Sequence, residues 1–170
     1  MNEELPQRKH PRLSSWDYSR AGSYFITLCA ENRRHLFSSV GRGLAPAEEN
    51  NTEIYIELSQ FGKILEEELK NITNRYPYAV IDKYVIMPDH LHFIITLSAG
   101  ASPRPTVMDI ICAYKSIATR RCKQIGYMEK RLFQTSFFEH IIRNQDDYRE
   151  TVKYIRQNPA NWYRDNLYSE

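Results

Sequence analysis

Apolar and polar positions follow two periods along this chain, and the switches between them mark out its elements. Residues 24–29, Tyr-Phe-Ile-Thr-Leu-Cys, are dense in aromatic and β-branched side chains and follow Gly22, so they read as a strand entered from a turn. Between residues 59 and 74 the pattern changes to helical spacing through Phe61, Ile64, Leu65, Leu69 and Ile72, with Ser59 as the expected N-cap. Residues 78–87 and 91–97 read as two strands separated by Pro88-Asp89. Residues 107–124 return to helical register through Ile110, Ile111, Tyr114, Ile117 and Ala118. A further strand is expected over 137–142, and a last helix over 146–158, where Pro159 should stop it. The polar, Gly- and Pro-containing stretch 38–51 reads as a loop, with a short strand at 54–58.

The order strand, helix, strand, strand, helix, strand, helix predicts an antiparallel sheet with helices on one face, a ferredoxin-like α+β sandwich. At 170 residues and 42% hydrophobic content the chain suits one domain, taken as 21–165. Residues 1–20 are polar and carry Arg8, Lys9, Arg12 and Arg20 with Trp16 and Tyr18, the pattern of an arm lying on the domain or on a polyanion.

Charge changes this picture only locally. The net charge is +2, so the bulk balance selects no partner, but residues 115–131 hold Lys115, Arg120, Arg121, Lys123, Lys130 and Arg131 against Glu129 alone. Such a patch suits phosphate, although cations in a last helical turn also complement the helix dipole. Three cysteines without Cys-x-x-Cys spacing indicate neither a disulfide framework nor a thiolate metal site. No apolar leader or membrane-length apolar run is present, and a soluble protein of the reducing cytoplasm, with no membrane partner, is expected.

The candidate chemistry begins with His90-Leu91-His92. Two imidazoles two residues apart on a strand project from one face, while Leu91 anchors the opposite one, so the pair can hold one metal ion near a strand end. The bland alternative is that both only complete hydrogen bonds. On the last helix Tyr154 and Asn158 stand four apart and share a face, one able to act as a nucleophile and the other as a ligand. A tyrosine hydroxyl, with an ordinary pKa of about 10, is a poor nucleophile until a cation polarises its target.

Three blocks carry a family resemblance: residues 88–92, Pro-Asp-His-Leu-His, in apolar flanks; 137–144, Phe-Phe-Glu-His-Ile-Ile-Arg-Asn; and 154–159, Tyr-Ile-Arg-Gln-Asn-Pro. In this order and spacing, and with 12–28 and 31–37 similar to the family's opening strand region, the chain resembles the REP-associated tyrosine transposases. These are relatives of the single-tyrosine insertion-sequence transposases. The resemblance implies a single-strand DNA endonuclease and strand transferase of the His-hydrophobic-His class, acting on hairpin or palindromic DNA. His90 and His92 would hold Mg²⁺ or Mn²⁺, and Tyr154 would attack a phosphodiester to leave a 5′-phosphotyrosine and a free 3′-hydroxyl. The third ligand is implied one helical turn beyond the tyrosine, at Asn158, where insertion-sequence relatives tend to have glutamine; Gln157 is the alternative. His140 is a secondary site contact, and Arg8, Lys9, Arg12, Lys115, Arg120 and Arg121 are the leading DNA contacts. The assembly is either a monomer or a dimer that exchanges the tyrosine helix. Two other readings stand beside this one, an active insertion-sequence transposase and a DNA-binding protein of the same fold without catalysis.

Overall fold

The computed structural model describes residues 16–44, 52–100 and 103–167. Its elements are β1 (Gly22–Cys29), β2 (Ser38–Leu44), β3 (Thr52–Leu58), α1 (Gln60–Lys70), α2 (Ile72–Arg75), β4 (Ala79–Ile86), β5 (His90–Leu97), α3 (Val107–Gln124), β6 (Phe138–Ile142) and α4 (Gln145–Leu167). The main sheet runs β4-β5-β1-β6, every neighbouring pair antiparallel. This is the strand order of the ferredoxin-like sandwich expected from the sequence.

Two hydrophobic clusters lie on opposite faces of that sheet. On one, Tyr24, Ile26 and Leu28 of β1 and Leu91, Phe93 and Ile95 of β5 pack against Leu65 and Leu69 of α1 and Ile110, Ile111 and Tyr114 of α3. On the other, Phe25, Val85, Met87 and Ile94 meet Ile155 of α4, with Val40 and Ile56 of the β2-β3 hairpin packed alongside. Helices α1 and α3 thus share one face as expected, and α4 covers the other. That cover explains why β5 is buried on both faces rather than alternating, and why its histidines are enclosed rather than displayed.

Local chemistry accounts for the helix starts. Ser59 caps α1 by accepting from the Gly62 amide at 3.0 Å. Gly62 has no room for a side chain, since a Cβ there would lie 2.0 Å from the Phe37 carbonyl oxygen. Thr106 and Asp109 form a capping box at the start of α3.

Three expectations are corrected. Residues 38–44 are strand, not loop: Gly41 and Gly43 mask the pattern, but the segment finds a partner in β3, with Gly41 opposite Tyr55. The helix expected over 59–74 is broken at Asn71 into α1 and α2. Pro159 does not end the last helix, which continues to Leu167. A proline inside a helix forfeits one backbone hydrogen bond, here to Ile155, and the continuation is held by Trp162, whose ring lies 5.2 Å from His35 and 5.8 Å from His90. Within the expected N-terminal arm, Trp16 and Tyr18 pack against the main core, Trp16 also donating to the Tyr24 hydroxyl at 3.4 Å. Arg8, Lys9 and Arg12 lie outside the described residues.

Candidate active site

The register of β1 and β5 sets Thr27 opposite His92 and Cys29 opposite His90. Thr27 Oγ1 lies 2.8 Å from His92 Nδ1. The Pro88-Asp89 turn is pinned by the Leu36 and Phe37 amides, which donate to the Pro88 carbonyl at 2.8 and 2.9 Å, and by the Ala30 amide on the Asp89 carbonyl at 2.8 Å. So held, the buried Asp89 carboxylate takes His90 Nδ1 at 2.6 Å through one oxygen and Arg33 Nε at 2.7 Å through the other. Arg33 and its neighbour Asn32 both adopt left-handed backbone, with φ of 54° and 56°. Strained non-glycine backbone of this kind concentrates where a side chain must be aimed.

With both Nδ1 atoms engaged, both Nε2 atoms face α4. His90 Nε2 lies 3.3 Å from Asn158 Oδ1, and His92 Nε2 lies 3.5 Å from the Tyr154 hydroxyl. The imidazole centroids are 4.6 Å apart. Burial, and then the neighbouring His90 and Arg33, push the His92 pKa down to about 3, so this imidazole is neutral and keeps a lone pair for a ligand. Asn158 is buried, whereas Tyr154 is 47% exposed and meets Phe25 edge-on.

These donors fit a divalent cation. Asp89 fixes the His90 tautomer that presents an Nε2 lone pair, and that lone pair faces the Asn158 amide oxygen, an arrangement a cation makes favourable. Among the described residues no three His, Cys, Asp or Glu side chains converge as a metal cluster, so a third protein ligand, were a cation bound here, would be of another type. Two imidazoles and an amide oxygen supply neutral donors and leave positions for substrate oxygens.

The four groups open into a cavity of about 1060 Å³. His140 lines it from β6, opposite Phe25 of β1, and its Nε2 pairs with Asp147 Oδ1 at 2.8 Å. Gln157 does not join it. This side chain is exposed and lines a separate cleft with Tyr148, Lys153 and Arg156. Lys115 is spent on the Gln134 and Thr135 carbonyls at 2.7 and 3.0 Å, and Arg121 on Glu68 and Glu67 at 2.6 and 2.7 Å, which removes both from the foremost free cations. Arg120 is exposed on α3.

Sequence reasoning missed Asp89, Thr27, Arg33 and Trp162 as parts of the site. Asp89 had a signal, since a carboxylate beside a ligand-type histidine is a common orienting partner. Trp162 stands four residues after Asn158 on the same helical face and was hidden by reading Pro159 as a stop.

Comparison with known proteins places these features in a family. Residues 49–158 match the family model described as Transposase IS200 like. An uncharacterized protein of Haemophilus influenzae is 28% identical over 185 residues, covering 98% of this chain and 96% of that one. A REP-associated tyrosine transposase of Escherichia coli K12 is 27% identical over 143 residues, 84% of this chain and 69% of that one. Among solved structures, a REP-associated tyrosine transposase bound to a REP hairpin superposes with a TM-score of 0.60 at 25% identity, covering 88% of this chain and 73% of that one.

Proposed function

The chain belongs to the IS200-like transposase family, and from that premise we propose that it is a metal-dependent single-strand DNA endonuclease and strand transferase acting on hairpin DNA of the REP type. The observation that supports this reading most is the convergence of the Tyr154 hydroxyl, the Asn158 amide and both histidine Nε2 atoms on one cavity.

Tyr154 is the nucleophile. Tyr154 is half-exposed and its hydroxyl stands beside the histidine pair, where a phosphodiester can approach from solvent. The phenolic oxygen bonds to phosphorus as the bond from phosphorus to the 3′ oxygen breaks; the phenolic proton passes to solvent and the leaving 3′ oxygen takes one up. One phosphate ester replaces another, so the link conserves the energy needed for rejoining and no nucleotide cofactor enters. His90, His92 and Asn158 are the residues that would hold Mg²⁺ or Mn²⁺, which when bound would polarise the scissile phosphate. Asp89 and Thr27 orient the two imidazoles, and Phe25 supports the Tyr154 ring.

Purified protein incubated with a single-stranded DNA hairpin and Mn²⁺ should form a covalent adduct that survives denaturing electrophoresis. Tyr154→Phe should abolish the adduct, and changing both His90 and His92 to Ala should abolish it while sparing hairpin binding. An undiminished adduct in Tyr154→Phe rules out this nucleophile.

A further inference from the structure

The cavity around the histidine pair is poorly charged for holding nucleic acid by its backbone. Its described lining contributes four carboxylates, Asp89, Asp147, Glu150 and Asp165, against one guanidinium, Arg33, and that guanidinium is already paired with Asp89. Like charges repel, so a phosphate chain entering here must be held from elsewhere.

A second groove has the opposite character. It runs between the C-terminal half of α3 and the segment 130–135, and its described lining holds Lys115, Arg120, Lys123, Lys130 and Arg131 with no carboxylate. Arg120, Lys123 and Lys130 are exposed and make no ion pair with a described residue, unlike Arg121 one position along, which faces Glu67 and Glu68. Helical geometry separates them: Arg120 and Lys123, three apart, share one face of α3, while Arg121 is turned toward α1. Arg131 is held by Thr135 at 2.8 Å, and Lys115 ties down the carbonyls of Gln134 and Thr135, so the groove wall is braced. Gln134 lines both this groove and the histidine cavity, which sets the two side by side.

We propose that this groove grips the phosphate backbone of a DNA hairpin stem, with Arg120, Lys123 and Lys130 as its principal contacts, and hands the unpaired strand past Gln134 to Tyr154. The inference rests on the DNA reading above and adds the surface that carries it. Backbone contacts of this kind position the substrate without reading its sequence.

The test is equilibrium binding of a fluorescent single-stranded hairpin to the full chain across a NaCl series, comparing wild type with the triple variant Arg120→Gln, Lys123→Gln, Lys130→Gln. A charge-matched control carries Arg149→Gln, Lys153→Gln and Arg156→Gln on the exposed face of α4. Each lost phosphate contact should flatten the slope of log affinity against log salt by about 0.9, so the groove variant should lose about 2 to 3 from the slope and about tenfold or more in affinity near 0.1 M salt. Its melting temperature should match wild type, and the control should bind nearly as wild type does. An unchanged slope in the groove variant, or an equal loss in the control, overturns the groove while leaving the DNA reading intact. Failure of wild type to bind any hairpin overturns that reading and the groove with it.

Discussion

Asn158 Oδ1 lies 3.3 Å from His90 Nε2, a contact that joins the middle of α4 to the first residue of β5 across 68 positions of sequence. Gln157, its neighbour, faces a different cleft. One step along a helix turns a side chain by about 100°, enough to separate a residue inside the site from one outside it.

The two amides should therefore behave differently. Asn158→Ala should lower Mn²⁺-dependent hairpin cleavage by about tenfold or more, whereas Gln157→Ala should stay within about twofold of wild type. Initial cleavage rates across a Mn²⁺ titration check this, and equal losses in the two variants would remove Asn158 from its proposed role.

Asp89 should govern metal affinity without touching DNA. Asp89→Asn keeps the shape but removes the charge shared by His90 Nδ1 and Arg33 Nε. Loss of such an orienting partner typically costs about 10- to 100-fold in metal affinity, so cleavage should demand more Mn²⁺ while hairpin binding in chelator is unchanged.

Tyr148 and Tyr154 sit on the same helix but face different partners. Tyr148 donates its hydroxyl to Asp82 on β4, and this bond holds the Tyr148 hydroxyl proton more tightly and lowers the Asp82 pKa. Tyr148→Phe should cost about 1 kcal/mol of stability, the worth of one such hydrogen bond, and leave adduct formation within about threefold. Chemical denaturation and adduct assays on the same preparation separate the two effects.

Arg121 should matter to stability and not to DNA. Its guanidinium and that of Arg75 clasp Glu68, whose side chain is only 4% exposed. Burial pushes the Glu68 pKa up, but the two arginines outweigh it and hold the carboxyl below its ordinary value of 4.5. A depressed folded-state pKa contributes stability that is fully present above about 4.5 and is lost as pH falls through the folded value. Arg121→Gln should thus destabilise by roughly 1 to 3 kcal/mol near pH 7, with the gap from wild type narrowing below pH 4.5. Hairpin affinity should stay within about twofold; denaturation curves at several pH values and one binding curve decide the matter.

Much of this architecture was legible because it is local. Helix α3 spans Val107–Gln124, as its spacing predicts, since a strong 3.6-residue period and a capping box act within one segment. The face shared by His90 and His92 follows from the two-residue period of a strand. Where local rules failed, a distant partner outvoted them. Pro159 should end a helix, yet Trp162 packs on His35 and His90 and holds the continuation. Gly41 and Gly43 weaken a strand, yet β3 pairs with it residue by residue.

The sequence by itself determined the order of elements, the common face of the histidines and the common face of Tyr154 and Asn158, because each depends only on the period of the backbone that carries it. The tertiary structure decided which amide meets His90, that Lys115 and Arg121 are occupied while Arg120, Lys123 and Lys130 are exposed without ion pairs to described residues, and that α4 closes over the sheet face opposite α1 and α3. Those outcomes depend on which surfaces touch. Spacing along one element says what a side chain can face, and only the packing of elements against one another says what it does face.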